Sequence, residues 1–88
     1  FTGLIAEMGR VDALRREGSS YRLTIEAKKI PLTFFVGESV CCNGACLTVT
    51  HFDAHCFTVD VMPETVRHTT IGLLKKGDPI NLEQTLKL

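Results

Sequence analysis

The sequence has no tryptophan, only one tyrosine among its 88 residues, and no excess of charge of either sign. Ten basic residues balance ten acidic ones, so the chain lacks the positive surface that nucleic acids or anionic membranes attract. No apolar run approaches the roughly 20 residues of a membrane-spanning helix. The first residues also lack the basic stretch and apolar core of a signal peptide. We therefore expect a cytoplasmic protein with reduced cysteines and with neither nucleic acid nor membrane as a partner.

The length allows one domain, and residues 1–88 are expected to form a single one. A chain of this size buries roughly 60 to 65% of the surface that it exposes when unfolded. One modest core is therefore possible, and a sizeable ligand is expected at an edge or an interface rather than in an enclosed cavity.

Apolar and polar residues alternate in short runs separated by turn residues, which is typical of strands. The expected strands are 4–14, 21–26, 39–42, 46–52, 56–61 and 80–88. Gly9 is expected to mark a bulge or bend, and Asn43-Gly44 suits a type I′ hairpin turn. Pro63 predicts the start of a short helix, in a region that ends at Gly72. Six antiparallel strands with one apolar face each require a closed barrel or a small sandwich.

Three of the four cysteines, Cys41, Cys42 and Cys46, stand close together in one predicted hairpin. Structural zinc sites use Cys-x2-Cys pairs, which this spacing does not provide. Consecutive residues of a strand point to opposite faces, so Cys41 and Cys42 cannot both face one metal ion. His51 and His55 have a spacing that joins two histidines on a helix, but here they lie on a strand and a turn. We therefore expect no metal.

The remaining explanation for most of these thiols is that they are small buried hydrophobic residues, and this is expected above all for Cys41 and Cys56. A Cys42–Cys46 disulfide across the hairpin is geometrically possible but disfavoured in a reducing compartment. Cys46 differs, because Thr48 follows two residues later and shares its face of the strand. A face of Cys46, Thr48 and Thr50 is too polar for a plain core, and it predicts a wall against a flat, polar ligand.

Four segments, taken together, resemble the N-terminal half of the riboflavin synthases of the lumazine-binding family. They are FTGLI (1–5), SVCCNGACLTVT (39–50), DVMPET (60–65) and GDPINLE (77–83). The resemblance covers essentially the whole chain, and the combination is far more specific than any one segment. It implies an all-β fold, a six-stranded antiparallel Greek-key barrel with a short helix. Family chains hold two such barrels in tandem, so we expect an isolated or truncated N-terminal barrel.

The resemblance also implies a reaction, a dismutation in which two molecules of 6,7-dimethyl-8-ribityllumazine exchange a four-carbon unit. One becomes riboflavin, and the other leaves as 5-amino-6-ribitylamino-pyrimidinedione. This transferase reaction is expected to need no metal or redox cofactor. Full-length family chains form homotrimers in which ligand pairs meet between barrels of neighbouring subunits. An isolated barrel is therefore expected to form a homodimer and to be inactive or weakly active.

The resemblance finally implies which residues form the site. Ligand contacts are expected from Gly3, Leu4, Ile5, Cys46, Leu47, Thr48, Asp60, Val61, Met62, Pro63, Glu64 and Thr65. Ser39 and Cys46 are alternative catalytic nucleophiles for addition to C7 of one lumazine, with a bound water as a third possibility. Phe1 either contacts the ligand or partner barrel or anchors the core, and Glu64 or Thr65 can also cap the helix.

A second interpretation is a non-catalytic carrier that binds lumazine or flavin as a chromophore, as fluorescent proteins of the same fold do. Such a carrier is expected to depart from the enzymes at catalytic positions. Ser39, Cys46 and Thr48 fit the pattern of the enzymes, which favours an enzyme over a carrier.

Overall fold

The computed structural model describes residues 3–30 and 37–86. Phe1 and residues 31–35 of the predicted connector lie outside these ranges, so the expectations for them stay predictions. The described strands are β1 (Gly3–Glu17), β2 (Ser20–Glu26), β3 (Ser39–Cys42), β4 (Ala45–Phe52), β5 (Cys56–Val61) and β6 (Pro79–Leu86). Helix α1 (Pro63–His68) and a 3₁₀ turn (Thr70–Leu73) connect β5 to β6.

The six strands close into an antiparallel barrel in the order β1-β2-β5-β4-β3-β6. Strands β3, β4 and β5 follow one another as neighbours, and β2 lies beside β5, which is the Greek-key arrangement. The closed barrel confirms the predicted fold class and excludes the sandwich alternative. None of the helices within the described ranges has the length and hydropathy of a membrane-spanning segment.

Alternation along the strands builds the core inside the barrel. On β2, Leu23 and Ile25 are fully buried, and on β5 Val59 packs against them, because Leu23 pairs directly with Val59. Burying apolar side chains of this size stabilises the fold by about 1.5 to 3 kcal/mol each. The polar residues between them face outward, so the outer surface of the barrel is available for function.

The β3–β4 hairpin turns as the sequence predicts. Asn43 and Gly44 have φ angles of 49° and 88°, the two positive values that a type I′ turn requires. The Asn43 side-chain oxygen also accepts a hydrogen bond from the Asn81 N–H at 2.8 Å, which ties the turn to β6. The turn fixes which residues of β3 and β4 lie opposite each other.

Strand β1 differs from the prediction in length and in the position of its bulge. Its register with β2 shifts between Val11 and Ala13, so the bulge lies at Asp12 and not at Gly9. Gly9 has another role, because a Cβ at this position would stand 2.8 Å from Leu82 Cδ1 and 2.9 Å from the Glu26 carbonyl oxygen. Glycine at position 9 therefore permits close packing of β1 on the core.

Two details of the helical connection also differ from the prediction. Gly72 lies inside the 3₁₀ turn and does not end the helical region. The N-cap of α1 is Met62, which makes no side-chain capping bond, so neither Glu64 nor Thr65 caps the helix as anticipated. Pro63 does occupy the first helical position, where a missing N–H costs nothing.

The carboxylate of Glu7 holds the segment that follows β2. Glu7 of β1 accepts hydrogen bonds from three successive backbone N–H groups after β2, those of Lys28, Lys29 and Ile30. Partial burial raises the pKa of Glu7, but the three N–H groups and the Lys29 charge outweigh that effect, and the pKa lies below its ordinary value. The ionised carboxylate thus anchors the chain as it leaves β2.

Candidate functional site

A row of polar side chains crosses the outer face of four adjacent strands. Ser39 of β3 pairs with Thr48 of β4, Thr48 pairs with Asp60 of β5, and Asp60 pairs with Arg22 of β2. Their neighbours Val40, Leu47, Val49 and Val61 all point into the core. Adjacent strands are about 4.8 Å apart, so the row from Ser39 to Asp60 spans roughly 10 Å. The structure therefore brings together the hydroxyls and the carboxylate that the sequence assigned to a site.

Cys46 lies in the next row of the same face. It is exposed and stands directly opposite Cys41, which is half-buried. The β4–β5 ladder ends at the Thr48–Asp60 pair, and Met62, two residues beyond Asp60, is the N-cap of α1 on the side of the ladder towards Cys46. The Met62 side chain is 63% exposed. The thiol and the thioether thus form a polarisable apolar end beside the polar row.

Thr50 does not continue this face, in contrast to the sequence prediction. The β4–β5 register shifts between Val49 and His51, which makes Thr50 the extra residue of a bulge. Its hydroxyl donates to the Thr58 carbonyl oxygen at 3.3 Å. Thr50 is therefore a structural residue, and the candidate face ends at Thr48.

Two other predicted site residues turn their side chains inward. Leu47 is 6% exposed and Val61 is fully buried, so both can offer a ligand only their backbone groups. The expected ligand contacts of Leu47 and Val61 therefore stay predictions, and in the chain as folded they concern backbone groups. Pro63 and Thr65 are half-buried, and Glu64 is exposed, in the first turn of α1.

The β1 residues Gly3, Leu4 and Ile5 are not adjacent to this face. Strands β6 and β3 lie between β1 and β4, which puts about 14 Å of sheet between β1 and Cys46. Residues 3–9 pair with β6, and β2 joins β1 only from Arg10 onward. Along Gly3–Ile5 the second edge of β1 thus has no strand partner within the described ranges, and Leu4 is 56% exposed.

Charge is confined to one end of the polar row. Arg22 Nε lies 3.0 Å from Glu17 Oε2 and 3.9 Å from Asp60 Oδ1. Such half-exposed pairs contribute little stability, about 0 to 1 kcal/mol, but they orient the side chains. Sequence reasoning missed Arg22, because only the pairing of β2 with β5 places it beside Asp60.

No partner that could act as a base is hydrogen-bonded to either candidate nucleophile in the described part of the chain. In residues 3–30 and 37–86, no carboxylate or imidazole is hydrogen-bonded to the Ser39 hydroxyl or the Cys46 thiol. The nearest histidine on β4, His51, is exposed and bonds the Thr50 hydroxyl at 3.1 Å. The described residues thus show no preformed nucleophile–base pair at Ser39 or Cys46.

The four cysteines are all free thiols and differ sharply in exposure. Burial, and then the nearby Cys41 and Cys46, raise the pKa of Cys42 to about 12, so this thiol stays protonated and inert. Burial, with the nearby Asp53 as a further cause, also raises the pKa of Cys56. Cys41 and Cys56 are only half-buried, which corrects the expectation that both are core residues.

No group of three or more His, Cys, Asp or Glu side chains suited to a metal ion occurs in the described part of the chain. Two surface depressions lie elsewhere on the barrel. One, of about 640 Å³, borders Met8 and Asn43, and the other, of about 520 Å³, borders Arg10 and His55. Neither of these two depressions is lined by a sequence-predicted site residue.

The chain has relatives among known proteins over almost its whole length. The family model described as "Lumazine binding domain" matches residues 2–85. The chain is similar to riboflavin synthases: 46% identical to that of Bacillus amyloliquefaciens, 45% to that of Bacillus subtilis and 41% to that of Actinobacillus pleuropneumoniae. Each alignment covers 98% of this chain and 40% of the relative. The chain thus spans less than half the length of the curated relatives that it matches.

Proposed function

Since this chain belongs to the lumazine-binding domain family, we propose that it is the N-terminal ligand-binding barrel of a riboflavin synthase. The proposed ligand is 6,7-dimethyl-8-ribityllumazine, or riboflavin as the product. The proposed reaction is the dismutation of two such lumazines, a transferase step in riboflavin biosynthesis. Within the proposal this barrel supplies one binding face, and a second barrel completes the reacting pair.

The observation that carries the proposal is the outward row of Ser39, Thr48 and Asp60 beside Cys46 and Met62. The row presents two hydroxyls and a carboxylate over roughly 10 Å, a length that suits a five-carbon polyol chain. The hydroxyl groups of a ribityl chain can donate hydrogen bonds to these hydroxyl and carboxylate oxygens. They can also accept hydrogen bonds from the two side-chain hydroxyls. The apolar end at Cys46 and Met62 suits the face of a flat heterocycle.

The start of α1 supports binding of the ring edge. The N–H groups of Glu64 and Thr65 have no intrahelical acceptor, because the first bond of the helix is Val66 N–H to the Met62 carbonyl oxygen. Met62 lies at the apolar end of the face, so these donors follow the ring position directly along the chain. In the proposal these two N–H groups donate to the carbonyl oxygens of a pteridinedione. Asp60, Val61 and Pro63 are proposed to contact the ligand beside them.

Because β1 is separated from the ligand face, we assign Gly3, Leu4 and Ile5 a different role. About 14 Å of sheet is too far for one heterocycle to bridge while its ribityl chain lies on the Ser39–Asp60 row. We propose that the open edge of β1 contacts the second heterocycle, held by another barrel. Stacking the two rings face to face then supplies the orientation that a bimolecular step needs.

The chemistry assigned to this chain is addition to C7 of one lumazine, through Ser39, Cys46 or a water beside them. Either side chain must lose a proton to act as a nucleophile. Because no base among residues 3–30 and 37–86 is hydrogen-bonded to Ser39 or Cys46, the proposal places the proton acceptor outside this barrel. The isolated chain should therefore bind ligand and turn over slowly or not at all.

Fluorescence titration of the 88-residue protein with riboflavin and with 6,7-dimethyl-8-ribityllumazine tests the proposal. Saturable quenching is expected, with Kd raised roughly 3- to 10-fold by Thr48→Val, the loss of one net hydrogen bond. Cys46→Ala should also weaken binding. Thr24→Val is the matched control, since Thr24 is a hydroxyl of β2 bonded to Thr58 away from Cys46. Binding that is equally sensitive to Thr24→Val, or no binding of either ligand, would contradict the proposed face.

Sedimentation measures the oligomeric state of the protein, and a turnover assay measures riboflavin formation. The proposal expects a homodimer of the isolated barrel with ligand bound, and a homotrimer when a second barrel is present in the chain. A ligand-bound monomer would argue against pairing of barrels. Binding without any riboflavin formation, even with a second barrel supplied, would instead favour the non-catalytic carrier.

A further inference from the structure

The hairpin register places two thiols directly opposite each other on the outer face. Cys42 and Ala45 flank the two-residue turn, and the next pair along the ladder is Cys41 and Cys46. In a type I′ hairpin the residues that flank the turn are hydrogen-bonded to each other, so the following pair is a non-hydrogen-bonded one. We propose that Cys41 and Cys46 are a modification site, a thiol pair that peroxide-class oxidants convert into a cross-strand disulfide.

The spacing of such a pair fits a disulfide. Directly opposed residues of a non-hydrogen-bonded pair have Cα atoms about 4.5 Å apart. Disulfides span Cα separations of roughly 4.4 to 6.8 Å. The Cys41 and Cys46 side chains also leave the sheet on the same side, since their chain neighbours Val40, Cys42 and Leu47 point into the core. The two sulfur atoms can therefore meet without movement of the backbone.

The other thiols are excluded by their positions. Cys42 is fully buried and leaves the sheet on the face opposite to Cys46, so the Cys42–Cys46 bridge that the sequence alone permits would require the strand to turn over. Cys56 lies at the start of β5, where it pairs with Glu26 of β2. Cys46 is exposed and Cys41 half-exposed, so peroxide can reach both thiols, whereas it reaches the buried Cys42 poorly.

The proposed chemistry is a two-step, two-electron oxidation. The Cys46 thiol loses its proton, the thiolate attacks one peroxide oxygen, and the O–O bond breaks to give Cys46 sulfenic acid and hydroxide, which takes up that proton and leaves as water. The Cys41 sulfur then attacks the Cys46 sulfur, the S–O bond breaks, and a second water leaves with the proton of Cys41. In sum two thiols lose two hydrogen atoms, and hydrogen peroxide is reduced to two waters.

The consequence for ligand binding rests on the proposed function. Cys46 is at the apolar end of the ligand face and is one of the candidate nucleophiles. A Cys41–Cys46 disulfide removes that thiol and pulls its sulfur toward β3. Oxidised protein should therefore bind the lumazine more weakly, and a thiol reductant should restore binding.

The disulfide itself is tested without ligand. The 88-residue protein is treated with hydrogen peroxide, alkylated while folded and again after unfolding, digested without reduction and analysed by mass spectrometry. A loss of about 2 Da, reversed by dithiothreitol, is expected in the wild type and in Cys42→Ala. Cys41→Ser and Cys46→Ser should abolish it, and Cys56→Ser should leave it unchanged.

Persistence of a bridge in Cys41→Ser would show that other cysteines form it and would overturn the proposal, as would the absence of any intramolecular disulfide in the wild type. In Cys41→Ser the proposal expects Cys46 to stop at sulfenic acid, which dimedone captures. Ligand titration of the oxidised wild type is a separate measurement. A disulfide that forms without changing binding would contradict the proposed ligand face and leave the modification site standing.

Discussion

Glu7→Gln removes a charge that holds three backbone N–H groups at the end of β2. Glu7 Oε1 accepts from Lys29 N at 2.8 Å and from Ile30 N at 3.0 Å, while Oε2 accepts from Lys28 N. A glutamine can keep its carbonyl oxygen on two of these donors, but its NH₂ group then faces the N–H of Lys28. One charge-assisted bond is lost, and the other two become weaker neutral bonds.

The magnitude follows from this geometry. Hydrogen bonds to charged groups contribute about 1.5 to 3 kcal/mol when buried, and exposure of Lys28 and Lys29 reduces that figure here. We expect the free energy of unfolding to fall by about 1 to 2 kcal/mol in Glu7→Gln. For a domain of this size that corresponds to a decrease in Tm of roughly 5 to 15 °C.

The pH dependence separates the charge from a packing effect. The pKa of Glu7 is lowered from its ordinary value of 4.5 in the folded state. Its contribution to stability is therefore complete above that ordinary value and disappears as pH falls through the lower, folded-state pKa. The difference in unfolding free energy between wild type and Glu7→Gln should be full at neutral pH and should shrink in acid.

Urea unfolding followed by far-ultraviolet circular dichroism measures both quantities. Glu83→Gln serves as the control, because Glu83 is exposed on β6 and its side chain makes no hydrogen bond or ion pair within the described ranges. The reasoning fails if Glu7→Gln is as stable as Glu83→Gln. It also fails if the loss is the same well below the folded-state pKa as at neutral pH.

Three further expectations follow from backbone fit and thiol burial. Gly9→Ala should lower the free energy of unfolding by about 1 to 3 kcal/mol, because the new Cβ overpacks Leu82; an unchanged Tm would contradict the contact. Cys42, with its pKa raised to about 12, should resist iodoacetamide at neutral pH until the protein unfolds, as mass spectrometry can show. Asn43→Ala should cost about 1 to 2 kcal/mol in urea unfolding, since it loses both the bond to Asn81 and a residue suited to positive φ; stability equal to wild type would argue against that turn.

Local chemistry accounts for what could be predicted from the sequence. The type I′ turn follows from the dipeptide Asn43-Gly44, and Pro63 marks the first residue of α1 as expected. The alternation of apolar and polar residues that predicted the strands also agrees with the burial of Leu23 and Ile25 on β2. Each of these signals involves residues that are near neighbours along the chain.

The features that the sequence did not predict depend on strands distant in sequence. The bulges at Asp12 and Thr50 exist only relative to a partner strand, and no residue type marks them unambiguously. Arg22 meets Asp60 because β2 pairs with β5, a pairing between strands 38 positions apart in register. The family resemblance supplied the candidate residues, and the register then showed that Leu47 and Val61 offer only backbone.

The side chains of β4 point alternately into the core and to the outer face, so substitutions at neighbouring positions should affect either stability or the proposed ligand binding. Val49 is fully buried, whereas Thr48, one residue earlier, faces outward. Surface substitutions away from special features usually change stability by less than about 0.5 kcal/mol, so Thr48→Val should keep a Tm close to that of wild type while weakening ligand binding. Val49→Ala should lower the free energy of unfolding by about 2 kcal/mol, yet leave the Kd of the folded protein nearly unchanged. Paired thermal melts and titrations measure both effects, and equal destabilisation by the two variants would show that Thr48 belongs to the packing of the barrel rather than to its ligand face.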